Sequence, residues 1–145
     1  ADVFLQTDGD IRAMLRTIFT SSEFAASADQ KVKRPAEFIQ SALRATNAQL
    51  TGTTYFRALN DRLNNMGQLP FMWPAPNGYP DVQNYWINTT AWLNRWNFSF
   101  ALLEGRIDRG IRIDLNALMG NASTAAQVVD NLTARLLRRP LTAED

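Results

Sequence analysis

Residues 81–104 read DVQNYWINTTAWLNRWNFSFALLE, and the folding of this stretch decides the architecture. Asp81 suits the start of a helix and Gly105 suits its end. The stretch therefore predicts one long helix over about Val82–Glu104, roughly 34 Å at 1.5 Å per residue. One face would carry Val82, Tyr85, Trp92, Trp96, Phe100 and Leu103. A second would carry Trp86, Leu93, Phe98 and Leu102. A helix that is apolar on most sides belongs at the centre of a bundle, so the expectation is an interior, tryptophan-bearing rod. Asn84, Asn88, Asn94, Arg95 and Asn97 interrupt it, which argues against a membrane span.

Immediately upstream, residues 67–81 read GQLPFMWPAPNGYPD. Pro70, Pro74, Pro76 and Pro80 forbid a continuous helix, and Asn77-Gly78 is a turn dipeptide. Phe71, Met72, Trp73 and Tyr79 are too apolar for a freely solvated linker. The segment reads as an ordered loop pressed onto the helices.

Further out, the helical period recurs. Thr7 and Asp10 resemble a capping box ahead of a buried stripe of Ile11, Met14, Leu15 and Ile18, and Ser21–Phe24 starts a short turn. Pro35 opens a helix with Phe38, Ile39, Ala42 and Leu43 on its apolar face. Thr53 or Thr54 caps the next, with Phe56, Leu59, Leu63 and Met66 as its stripe and Gly67 as its stop. Ile111-Arg112-Ile113 alternates too briefly to predict a sheet. Asp114 caps a short helix, Leu115–Met119, closed by Gly120. Ser123 or Thr124 starts the last helix, whose stripe is Val128, Val129, Leu132 and Leu136 and which ends before Pro140. The prediction is a single all-α domain, an irregular bundle of about six helices around the long central one, with an ordered Pro- and aromatic-rich loop.

Composition narrows the function. The 145 residues carry a formal net charge of +1, with no histidine and no cysteine. Disulfides, thiol chemistry, zinc sites built on His or Cys, and Ser-His or Cys-His nucleophiles are excluded within this chain. The isolated glycines build no phosphate-cradling loop, and no cofactor is expected. Asp8 and Asp10 read as helix-start acids, not metal ligands. Glu104 and Asp108 straddle Gly105, so periodicity does not make them face each other as an acid–base pair. Lys31 and Lys33 sit in a polar loop, away from any serine nucleophile the pattern identifies. Arg106, Arg109 and Arg112 form a basic turn, but the near-zero net charge argues against nucleic acid. Arg135, Arg138 and Arg139 complement the negative end of the last helix. The four Asn-x-Ser/Thr sequons at Asn88, Asn97, Asn121 and Asn131 read as chance in a chain rich in Asn and Thr.

The remaining lead is aromatic. Trp73 and Tyr79 on the loop, with Asp81, Tyr85, Trp86 and Asn88 on the helix it feeds, are the candidate contacts for a ligand or partner. Stacking faces beside amides suit a glycan or another small molecule, and Trp and Tyr also dominate protein-docking surfaces. The same residues would equally serve to fasten the loop to the core.

Three segments carry a family resemblance. They are Ile11–Phe24, IRAMLRTIFTSSEF; Lys31–Pro35 with Glu37-Phe38 and Ser41–Ala45; and Met66-Gly67-Gln68 leading to Pro74, Gly78–Asp81 and Trp86–Thr89. Together they resemble the C-terminal part of the large bacterial domain-of-unknown-function family 1800 (DUF1800), from about Val3 through Pro140. The resemblance implies a piece of a longer protein, exported to the periplasm or beyond, whose His-containing segments lie N-terminal to this chain. It implies no reaction and carries no catalytic residue onto these positions. The expected role is a non-catalytic helical packing or interaction module whose first partner is the N-terminal part of the same protein. The alternative is glycan or small-molecule binding, or hydrolysis, at the aromatic loop and central helix.

Overall fold

A computed structural model describes residues 1–28, 30–138 and 141. The chain divides into two compact units, Ala1–Val32 and Lys33–Asp145. It is mainly helical, with nine helices and one two-stranded sheet among the described residues.

The first unit holds α1 (Asp2–Gln6), α2 (Ile11–Phe19) and α3 (Ser22–Ala26). Its ends follow local chemistry. Asp10 caps α2, its carboxylate accepting from the Arg12 and Ala13 amides at 2.8 and 3.1 Å. Thr7, expected to begin a capping box, instead closes α1 and donates its hydroxyl to the Val3 carbonyl. Ser21 caps α3 by accepting from the Phe24 amide. The expected stripe forms on one face of α2, but it is not buried: Ile11, Leu15, Ile18 and Phe19 are all exposed. Periodicity shows that a face is apolar and does not show what covers it.

The second unit holds α4 (Pro35–Ala45), β1 (Gln49–Leu50), α5 (Tyr55–Asn65), α6 (Gln83–Trp86), α7 (Thr89–Leu103), β2 (Ile111–Arg112), α8 (Leu115–Met119) and α9 (Ala125–Leu136). Its core is a cluster of Ile39 from α4, Leu63 and Met66 from the end of α5, Phe98 and Leu102 from α7, and Ile111 from β2. Phe98 is fully enclosed and meets Phe38 edge to face, with centroids 5.8 Å apart. Enclosing such a ring contributes about 1.5–3 kcal/mol. Phe56, assigned to the buried stripe of α5, points to solvent instead.

Pro35 opens α4, and the Glu37 carboxylate reaches back to the Arg34 amide at 2.9 Å. The next unpaired amide, on Ala36, donates to the Gln68 side chain at 2.8 Å. That bond ties the start of α4 to the end of α5, where Gly67 takes φ +84° just past the last turn.

The sheet is the element that sequence pattern misses. β1 and β2 pair antiparallel, Gln49 opposite Arg112 and Leu50 opposite Ile111. Two residues each are too few to show a period. Gly110 precedes β2, and its carbonyl accepts from the Thr51 amide at 2.8 Å. A Cβ at Gly110 would collide with the Thr51 carbonyl oxygen, which accounts for glycine here. Asp114 and Gly120 bracket α8 as expected. Thr124 caps α9, while the Gln127 side-chain oxygen accepts from the amide and hydroxyl of Ser123. Arg139 and Pro140 lie outside the described residues.

Candidate functional site

The long central helix is not continuous. α6 ends at Trp86, Ile87 and Asn88 are extended, and α7 begins at Thr89. Asn88 causes the break: its side-chain oxygen accepts from the Ala91 amide at 2.8 Å, a cap that competes with continued helix. Asp81 does not cap the helix, since Val82 occupies the cap position of α6 without a side-chain bond. The Asp81 carboxylate lies instead 3.8 Å from the Arg34 guanidinium. Glu37 beside it, together with Asp81, holds the Arg34 guanidinium above its ordinary pKa.

Four of the six sequence-derived candidates meet. Trp73 contacts Tyr79 and Tyr85, and both tyrosines contact Trp86, with centroids 4.7–5.9 Å apart. The rings close a circuit. Three of their polar ends are tied within the loop: Trp73 Nε1 donates to Asn77 at 3.1 Å, the Tyr79 hydroxyl to the Leu69 carbonyl at 2.7 Å, and Trp86 Nε1 to the Pro80 carbonyl at 2.9 Å. Only Trp86 is buried, at 3% exposure. The ordered loop thus has a physical cause: it folds onto α6 through its own rings. Phe71, by contrast, is fully exposed, at φ +62°.

Asn88 stands apart from this circuit, on an open pocket of ≈650 Å³ along α7. Its walls include Ile87, Trp92, Leu93, Trp96 and Phe100, with Asn97 among them and, among the described residues, no charged side chain. Here the expectation of an interior rod is corrected. α7 has a buried face of Ala91, Arg95, Phe98, Ala101 and Leu102. On the opposite face Trp92 is 47% and Trp96 63% exposed, as are Leu93, Phe100 and Leu103 to similar degrees. Both faces are apolar, so composition alone does not reveal which is covered.

Sequence reasoning treats Arg95 as a polar interruption. It is in fact buried at 5% exposure. One terminal amino group donates to the Lys33 carbonyl at 2.8 Å, and the guanidinium lies over Phe38 at 5.1 Å and near Trp92 at 5.8 Å. Burial lowers its pKa. Its long apolar stem is the only sequence signal that could have placed it inside.

The model of the family described as protein of unknown function, DUF1800, matches residues 1–145, the whole chain. The chain belongs to DUF1800. No curated protein and no solved structure matches it. The roles of residues in this DUF1800 chain therefore rest on geometry.

That geometry engages Glu104 and Asp108 of the DUF1800 chain separately. Glu104 pairs with Arg106. Asp108 accepts from the Gly110 amide at 2.7 Å and from the Thr54 hydroxyl at 2.9 Å, joining the start of α5 to the turn before β2. Among the described residues no three His, Cys, Asp or Glu side chains converge to hold a metal ion, and no helix is long and apolar enough to cross a membrane.

Proposed function

We propose that this DUF1800 chain is a non-catalytic helical packing module of a larger exported bacterial protein, and that the outward face of α7 packs against the part of that protein preceding it. One observation carries the reading: α7 is apolar on two sides and only one side is covered by the chain itself. Trp92, Leu93, Trp96 and Phe100 make a continuous uncharged surface, and large aromatics anchor protein interfaces when desolvated. Exposed apolar patches of this kind mark interaction surfaces. The resemblance to the C-terminal part of longer family members supports the choice of partner and of a periplasmic or extracellular location.

The test compares tryptophan emission of this chain with that of the longer product of its gene, using Trp73→Phe and Trp86→Phe to isolate Trp92 and Trp96. A blue shift and loss of acrylamide quenching in the longer protein, reversed by Trp96→Glu, is the expected result. Equal quenching in both, or a gene encoding nothing before this chain, overturns it.

A glycan-binding or hydrolytic role remains the second reading. It is supported by the amides of Asn88 and Asn97 beside the Trp92 and Trp96 rings. Fluorescence titration with neutral oligosaccharides tests it, and a response lost in Trp92→Ala is its signature.

A further inference from the structure

We propose that a second pocket, ≈580 Å³ in volume, where the C-terminal ends of α4 and α9 meet, binds a small phosphomonoester. Arg44 in the last turn of α4, Arg135 in the last turn of α9 and Arg138 just beyond it line the pocket, with Leu118, Ala45 and Ala134 as apolar wall. Among the described residues no carboxylate lines it. Elsewhere in the chain the arrangement differs: Arg34 and Arg106 each face a glutamate.

Three observations point to an anionic ligand. First, the two helix ends supply about half a negative charge each, which does not neutralise three guanidiniums gathered in one concavity. Second, Arg135 is held in place because its Nε donates to the Ala45 carbonyl at 2.9 Å. That bond leaves its two terminal amino groups for a ligand. Third, Arg138 takes φ +60° directly after the helix, where glycine or asparagine is the usual occupant. An arginine kept in that backbone conformation lines the pocket at the expense of local stability.

The chemistry favours phosphate over carboxylate. A carboxylate satisfies one guanidinium fork, whereas a phosphomonoester offers three oxygens and a charge near −2 to several forks. Ala45 and Ala134 on the pocket wall give an attached carbon skeleton an apolar surface to lie on.

Calorimetric titration of the whole chain tests the assignment, with glycerol 3-phosphate, inorganic phosphate and succinate as probes at an ionic strength held constant with chloride. The expected result is binding of both phosphates, with glycerol 3-phosphate at least as tight as inorganic phosphate. Arg44→Gln and Arg138→Gly should each weaken binding by about tenfold or more, as loss of a charged hydrogen bond does. Arg138→Gly should also raise Tm, because glycine relaxes the left-handed backbone, so loss of binding is separated from loss of fold. Arg12→Gln, in α2, should bind as the parent does. No heat with either phosphate, succinate binding as tightly as glycerol 3-phosphate, tighter binding of inorganic phosphate than of the ester, or affinity unchanged in both pocket variants overturns the proposal.

Discussion

Arg95 shows how a single side chain can be both a cost and an anchor. Its guanidinium has left water for one carbonyl and two ring faces, and burial lowers its pKa. The stem, however, fills space beside Phe38. Arg95→Met keeps the stem and removes the charge, so it should cost under about 1 kcal/mol in urea unfolding. Arg95→Ala loses both and should cost about 2–4 kcal/mol. A Met variant as damaged as the Ala variant would show that the charge, not the stem, holds α7 in place. The tryptophans divide in the same way. Trp86 is enclosed and hydrogen-bonded, so Trp86→Ala should cost about 3–5 kcal/mol. Trp96 is largely solvated, so Trp96→Ala should fall within about 0.5 kcal/mol of the parent. Similar losses for both in this chain would mean that something covers the outward face of α7.

At the scale of elements, Asn88 divides what would otherwise be one rod. Its cap lets α6 and α7 differ in phase, so that Trp86 turns inward while Trp92 and Trp96 turn out. Asn88→Ala should destabilise by about 1 kcal/mol. Asn88→Asp retains the acceptor and adds a charge at the positive helix end, so it should be neutral or stabilising by about 0.3–1 kcal/mol. Thermal melts followed by circular dichroism distinguish the two. If Asn88→Ala instead raised helix content without loss of Tm, α6 and α7 would have fused. Caps of this kind are legible in sequence because donor and acceptor lie within three residues, and Asp10, Ser21, Asp114 and Thr124 all behave as their residue types suggest. The pairing of Gln49–Leu50 with Ile111–Arg112 was illegible because the two strands are some sixty residues apart in the chain. The aromatic circuit was half legible: the sequence brings Trp73, Tyr79, Tyr85 and Trp86 near one another, but does not show that the polar ends of Trp73, Tyr79 and Trp86 bond inside the loop. The arginine pocket was hidden for the same reason as the strand pairing, since Arg44 joins Arg135 only through the fold.

At the scale of the whole chain, core and length are unequally shared. Every buried residue among those described, from Pro35 to Leu118, belongs to the unit beginning at Lys33. The unit of residues 1–32 has helices without a buried residue, and chains below about 40 residues seldom fold without staples or partners. Its three helices have five, nine and five residues, each short of the roughly 12–15 that even good helix formers need in isolation. The unit from Lys33, by contrast, contains the whole Ile39–Phe98–Ile111 cluster, both strands and the bond from the Ala36 amide to the Gln68 side chain. Residues 33–145 alone should therefore melt cooperatively, with hydrogen-exchange protection concentrated in α4, α5 and α7. A peptide of residues 1–32 should show little helix by circular dichroism. A non-cooperative melt of residues 33–145 would show that the core seen around Phe98 is not sufficient for the fold. A helical 1–32 peptide would show that the exposed Ile11, Leu15 and Ile18 face finds its own cover, by self-association detectable as a concentration-dependent signal.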